Sequence, residues 1–201
     1  YIPVILMLLG LIFRGVAFEF RFKAEASKVL WDYAFHFGSL CAAFMQGVIL
    51  GGFIQGIEVD GRSFAGDPFD WLTAFSLMTG AAVVCGYVLL GSTWLVMKTD
   101  GETQEWARKC AQYILLFVAL FMGIVSLWVP YLDNDIGQRW FSIPNIYYLS
   151  PLPLLTAVCF AAAWYTLSKG CDYKPFLFSF AIFILGYLGL AVSLWPWVVP
   201  Y

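Results

Sequence analysis

Long apolar runs alternate with short polar breaks along the chain. Six runs reach the length of a bilayer crossing, which takes about 20 helical residues. They cover residues 1–21, 30–56, 69–97, 109–130, 150–168 and 175–195. All six are rich in Leu, Phe, Ala and Gly, with Trp and Tyr near their ends, where the membrane interface favours aromatic rings. Strands of a transmembrane barrel would be about ten residues long with alternating polarity. These runs are longer and uniformly apolar. The pattern predicts an all-α, polytopic membrane helix bundle with six transmembrane helices, forming a single transmembrane domain over residues 1–201.

The polar breaks are of two kinds. Arg21, Lys23 and Lys28 follow the first run, Lys98, Arg108 and Lys109 the third, and Lys169 and Lys174 the fifth. These three breaks hold eight of the 11 basic residues. The breaks after the second and fourth runs hold Glu58, Asp60, Arg62, Asp67, Asp133, Asp135 and Arg139, with two basic residues between them. Basic loops face the cytoplasm, so the first helix is expected to run inward and end there.

Composition strengthens the membrane reading. Hydrophobic residues make up 62% and charged residues 12%, against about half and about a quarter in a soluble domain. A net charge of −2, with no basic tail, gives no footing for nucleic acid. The five cysteines (Cys41, Cys85, Cys110, Cys159 and Cys171) form no C-x-x-C pair and read as small apolar residues, not as a disulfide or metal framework. The chain opens on Tyr1 inside an apolar run and closes on Trp197-Val198-Val199-Pro200-Tyr201, so it is read as a fragment that does not start with a signal peptide.

The third run has a legible start. Asp67 suits an N-cap, Pro68 the first helical position and Asp70 the third, near the positive helix end. Gly47, Gly51 and Gly52, then Gly80, Gly86 and Gly91, and Ala161–Ala163 are expected at close helix–helix contacts, because small residues let helices approach in lipid.

Candidate chemistry concentrates at the end of the first run. Arg14 sits between apolar residues, where an arginine costs roughly 2.5–3.5 kcal/mol. It lies about 10 Å deeper than Arg21 at the α-helical rise. It is read either as a snorkelled anchor or as a buried charge holding an acid, a water chain or a polar ligand head. Glu19 faces Lys23 and Arg21 faces Glu25 at i,i+4 spacing, which suggests a solvated ion-pair edge. Glu19 could instead admit protons. Asp32 shares a face with His36, with Ser27 as the N-cap of their helix. Asp32 is read either as a local partner of His36 or as the counter-charge for Arg14. His36 is the one histidine, so a bis-histidine haem cannot be built from this chain. Pairing it with Met7, Met45, Met78, Met97 or Met122 is a weak option, because single methionines usually fill gaps. No H-E-x-x-H, P-loop or G-x-S-x-G motif occurs.

Phe13-Arg14-Gly15-Val16-Ala17-Phe18-Glu19-Phe20-Arg21 resembles the third-helix motif of subunit II of cytochrome bd-type quinol oxidases. Asp67-Pro68-Phe69-Asp70-Trp71-Leu72-Thr73, with Phe75-Ser76-Leu77-Met78-Thr79-Gly80, resembles the start of that family's fifth helix. Trp195-Pro196-Trp197-Val198-Val199-Pro200 is similar to the end of its eighth. The resemblance implies a nine-helix subunit of which the third to eighth helices are present, in the bacterial inner (cytoplasmic) membrane. It implies a heterodimer with subunit I, which holds haem b and haem d and reduces oxygen to water with quinol. It implies that subunit II ligates no haem, supports proton supply from the cytoplasm, and in some members holds a quinone. By motif, the family's arginine falls on Arg14, its acid before the basic edge on Glu19, and its acid after tryptophan on Asp32. These are positions tied to quinol oxidation or proton supply. The competing readings are a transporter or channel component, and a purely architectural membrane subunit.

Overall fold

The computed structural model describes residues 1–56, 59, 60, 63–132 and 134–194. The helices are α1 (Ile2–Lys23), α2 (Lys28–Gln55), α3 (Ala74–Lys98), α4 (Glu102–Leu132), α5 (Asn134–Phe141), α6 (Asn145–Leu149), α7 (Pro151–Ser168) and α8 (Lys174–Leu194). Between α2 and α3, β1 (Val59–Asp60) pairs antiparallel with β2 (Ser63–Phe64), with Val59 opposite Phe64. Among the described residues, six helical segments are long and apolar enough to cross a membrane: α1, α2, α3, α4, the α6–α7 segment and α8. The aromatic-proline motif from Trp195 to Pro200 lies outside the described residues.

The chain divides into two compact units, residues 1–84 and 85–200, with the boundary inside α3. In the first unit, α1 and α2 form a hairpin whose closest approach is made by glycines. A Cβ on Gly10 would stand 2.7 Å from the Gly38 carbonyl oxygen, and one on Gly38 would stand 2.6 Å from that of Gly10. Neither glycine was singled out by the pattern of runs, because each stands alone in its apolar surroundings. Gly47 and Gly51 of α2 do meet α3, as their spacing predicts, against Thr79, Gly80 and Ser76. Thr79 Oγ1 donates to the Gly47 carbonyl at 2.9 Å and to its own helix at Ser76. Gly86 abuts the Phe183 ring, whereas a Cβ at Gly52 or Gly91 would meet nothing within 4 Å.

The start of α3 differs from expectation. Residues 67–72 close their own turns: Asp70 N–H donates to the Asp67 carbonyl at 3.2 Å, and Leu72 N–H to that of Phe69 at 2.8 Å. Asp70 Oδ2 accepts from the Asp67 N–H at 2.6 Å, so the acids stabilise this turn instead of capping the helix. The cap is Thr73, six residues later. Its Oγ1 accepts from the Ser76 N–H at 3.1 Å, and its own N–H donates to Ser76 Oγ at 3.1 Å. This is a reciprocal capping box with serine in the place of Glu or Gln. Ser27 does occupy the N-cap of α2, though without a side-chain bond.

In the second unit, Leu89, Ala111, Leu115, Val118, Ala163, Leu167 and Ile182 form the core, drawn from α3, α4, α7 and α8. At the basic-loop end, Arg108 of α4 clasps the turn between α7 and α8. It donates to the Cys171 carbonyl at 3.0 Å and to Asp172 Oδ1 at 2.9 Å. Gln104 joins in, donating to Asp172 at 3.1 Å and to the Val96 carbonyl at 2.9 Å. These polar bonds explain why α4 begins at Glu102, seven residues before the apolar run: its first two turns lie at the loop and bond to it. The break after α4, expected as a loop, carries α5 and α6. Trp140 of α5 donates its indole N–H to Ser193 of α8 at 2.9 Å.

Candidate functional site at the basic end of the first hairpin

Four residues, 24–27, link α1 to α2, so the last turn of α1 runs beside the first turns of α2. The α1–α2 register then decides which charges meet. Arg21 reaches Asp32: its Nε donates to Oδ1, and Nη2 stands 3.5 Å from Oδ2. The two side chains remain 48% and 42% exposed, so the pair is only partly desolvated.

Arg14 lies two turns deeper, level with Phe35. Its guanidinium carbon is 5.6 Å from the Phe35 ring centroid, within the reach of a cation–π contact. Asp32 is therefore not the counter-charge of Arg14, as one sequence reading had it. The register puts Asp32 beside Arg21, and Arg21 takes it. Among the described residues Arg14 makes no ion pair.

Glu19 is exposed on α1 between Phe18 and Phe20. The expected i,i+4 pairs Glu19–Lys23 and Arg21–Glu25 do not form among the described residues; Arg21 is directed across to α2 instead. His36 does contact Asp32, but through the backbone. Its Nδ1 lies 2.6 Å from the Asp32 carbonyl oxygen. The Asp32 carboxylate is thus left to Arg21, and the ring is fixed against its own helix. Around the pair, Phe20 packs on Trp31 with centroids 5.0 Å apart, and Phe18 meets Phe22 edge-on at 5.5 Å.

The structure therefore brings Asp32 to Arg21, keeps Arg14 deeper over an aromatic ring, and leaves the Glu19 carboxylate exposed with no ion pair among the described residues. Such a set can hold a fixed charge at the membrane edge, with the exposed Glu19 and Glu25 both outside any ion pair among the described residues. Sequence reasoning missed Arg21 and Phe35 as the partners. The signal was the length of the linker, which sets the hairpin register.

The chain has one histidine, so its own residues cannot supply bis-histidine ligation of a haem. Among the described residues no group of three or more His, Cys, Asp or Glu comes together.

The chain is similar to known proteins along its length. The chain is 30% identical to the cytochrome bd ubiquinol oxidase subunit 2 of Bacillus subtilis, over 99% of this chain and 58% of that protein. It is 30% identical to the cytochrome bd-I ubiquinol oxidase subunit 2 of Escherichia coli K12, over 65% of this chain and 36% of that one. A probable cytochrome oxidase subunit 2 of Haemophilus influenzae is 24% identical over the whole chain and 61% of its own length. The chain thus spans about three fifths of the length of the Bacillus relative. Residues 1–201 match the family described as cytochrome bd terminal oxidase subunit II, and the chain belongs to that family.

Proposed function

We propose that the chain acts as part of the membrane subunit II of a respiratory quinol:oxygen oxidoreductase that reduces oxygen to water. In this reading it ligates no haem itself. It supports a haem-bearing subunit I that holds haem b and haem d, in the bacterial inner membrane. Arg14, Glu19 and Asp32 serve proton supply from the cytoplasm or quinol oxidation at the subunit boundary, and a quinone is a candidate ligand of the same complex.

The observation that carries this reading is the arrangement at the basic end of α1 and α2. Glu19 is an exposed acid that no cation neutralises among the described residues. Glu19 is the entry acid in this reading, and Asp32 with Arg21 supplies the fixed charge beside it. Arg14 adds a positive charge further in. Membrane-embedded charges usually mark such paths or bind partners.

The transporter reading is less well supported, since α3, α4, α7 and α8 run unbroken across their apolar lengths. Transporters commonly place broken helices at a mid-membrane site.

The test is Arg14→Leu in the full-length subunit, read as haem copurification and quinol-driven oxygen uptake. Loss of uptake supports the reading. Normal assembly with normal uptake overturns it.

A further inference from the structure

We infer that the seam between α3 and α8 in the second unit is a binding site for an anionic phospholipid. This does not rest on the oxidase reading.

Tyr87, Gly91, Trp94 and Lys98 recur on α3 at helical spacing and share one face. Phe176, Phe180, Phe183 and Tyr187 do the same on α8. The two rows face each other antiparallel. Trp94 meets Phe176 edge-on with centroids 5.2 Å apart, and Tyr87 stacks on Phe183 at 5.8 Å. Phe176 stacks on Phe180 at 6.3 Å, and Phe183 packs on Tyr187 at 5.4 Å. The result is a continuous aromatic wall that stays open on one side: Trp94 is 47%, Phe180 50% and Tyr187 50% exposed.

Gly91 gives the wall a notch. It lies between Tyr87 and Trp94 on their face, is exposed, and a Cβ there would meet nothing within 4 Å. Lys98 closes one end. Its ammonium lies 5.4 Å from the Trp94 ring centroid, and it makes no ion pair among the described residues. Asp100 and Glu102 follow in the next turn, and among the described residues neither forms an ion pair with Lys98, while Asp172 is paired with Arg108.

Length and charge together select the occupant. From Lys98 to Tyr87 the helix rises about 16 Å, close to the depth of one leaflet, which is half of an approximately 30 Å hydrocarbon core. A phosphate at Lys98 with an acyl chain along Trp94, the Gly91 notch, Phe180 and Phe183 matches both. A packed apolar protein helix would instead bury the Lys98 charge without a partner, which is costly. Basic sites at the cytoplasmic ends of membrane helices bind anionic headgroups for the same reason.

The test uses the full-length protein purified in detergent, with phosphatidylglycerol, phosphatidylcholine of the same acyl chains, and inorganic phosphate as probes. Bound lipid is read by native mass spectrometry and by competition. The wild type should retain phosphatidylglycerol over phosphatidylcholine. Lys98→Gln should weaken phosphatidylglycerol roughly fivefold and leave phosphatidylcholine unchanged. Gly91→Leu should displace both lipids while keeping the wild-type thermal midpoint, because its side chain enters open space. Equal retention of the two lipids by the wild type would overturn the site. So would variants that hold phosphatidylglycerol normally, inorganic phosphate competing as well as the lipid, or a photo-crosslinker at position 91 that captures polypeptide.

Discussion

Arg21 decides what the other charges at the basic end of the first hairpin are free to do. By holding Asp32 it turns away from Glu25 and leaves Arg14 with an aromatic ring. The pair is about half exposed, so solvent screens it and it contributes little to stability. Arg21→Gln is therefore expected to leave the thermal midpoint of the full-length protein nearly unchanged. If the charge at this edge matters for function, the same variant lowers quinol-driven oxygen uptake. A large fall in midpoint would show a structural role instead. Arg108 is different, because its side chain is 17% exposed and makes bonds to both a carbonyl and a carboxylate. Arg108→Met removes the donor of the Cys171 carbonyl, while the exposed Asp172 keeps Gln104, so a loss of about 1 kcal/mol is expected, seen as a lower thermal midpoint.

Among the elements, the α1–α2 hairpin depends on its glycines. Gly38→Ala drives a Cβ toward the Gly10 carbonyl, and a backbone atom cannot rotate away. A loss of about 1–3 kcal/mol is expected from overpacking, whereas Gly52→Ala, which meets open space, should be neutral or stabilising. Comparing the thermal midpoints of the two variants checks the contrast. Across α2 and α3, Thr79→Val keeps the shape but removes the bond to the Gly47 carbonyl. Interhelical bonds of this kind in membranes average about 0.6 kcal/mol, so a drop of that order in unfolding free energy is expected. The start of α3 shows how two good signals can compete. Asp67 and Thr73 are both N-cap types. Ser76 stands three residues after Thr73 and returns the bond, whereas the Asp70 carboxylate is engaged by the Asp67 N–H in the turn before.

For the whole molecule, what could be read from the sequence followed what the membrane demands. Lipid offers the backbone no hydrogen bonds, so spanning segments must be helices long enough to cross, and all six were legible as apolar runs. The polar ends of α4 and the short α5 and α6 were not, because outside lipid no length rule applies. The residues of the candidate site were legible from the resemblance and from their setting: Arg14 as a charge in an apolar run, Asp32 as an acid one turn inside a helix. Their pairing was not, because it depends on how α1 and α2 align, which neither residue reveals alone. Gly10 and Gly38 were hidden for the same reason, each being a lone small residue until the hairpin brings them together.

The central claim is that Glu19 and Asp32 work in proton supply for an oxidase whose haems lie in a partner. The direct measurement is quinol-driven oxygen uptake per haem in the full-length complex, for wild type, Glu19→Gln and Asp32→Asn. The account predicts unchanged haem content, with uptake per haem reduced about tenfold or more in Glu19→Gln, since a positioned acid or base typically contributes at least that much to proton transfer, and reduced also in Asp32→Asn, which removes the fixed charge beside it. Unchanged uptake per haem in both variants would contradict it and leave the chain an architectural subunit.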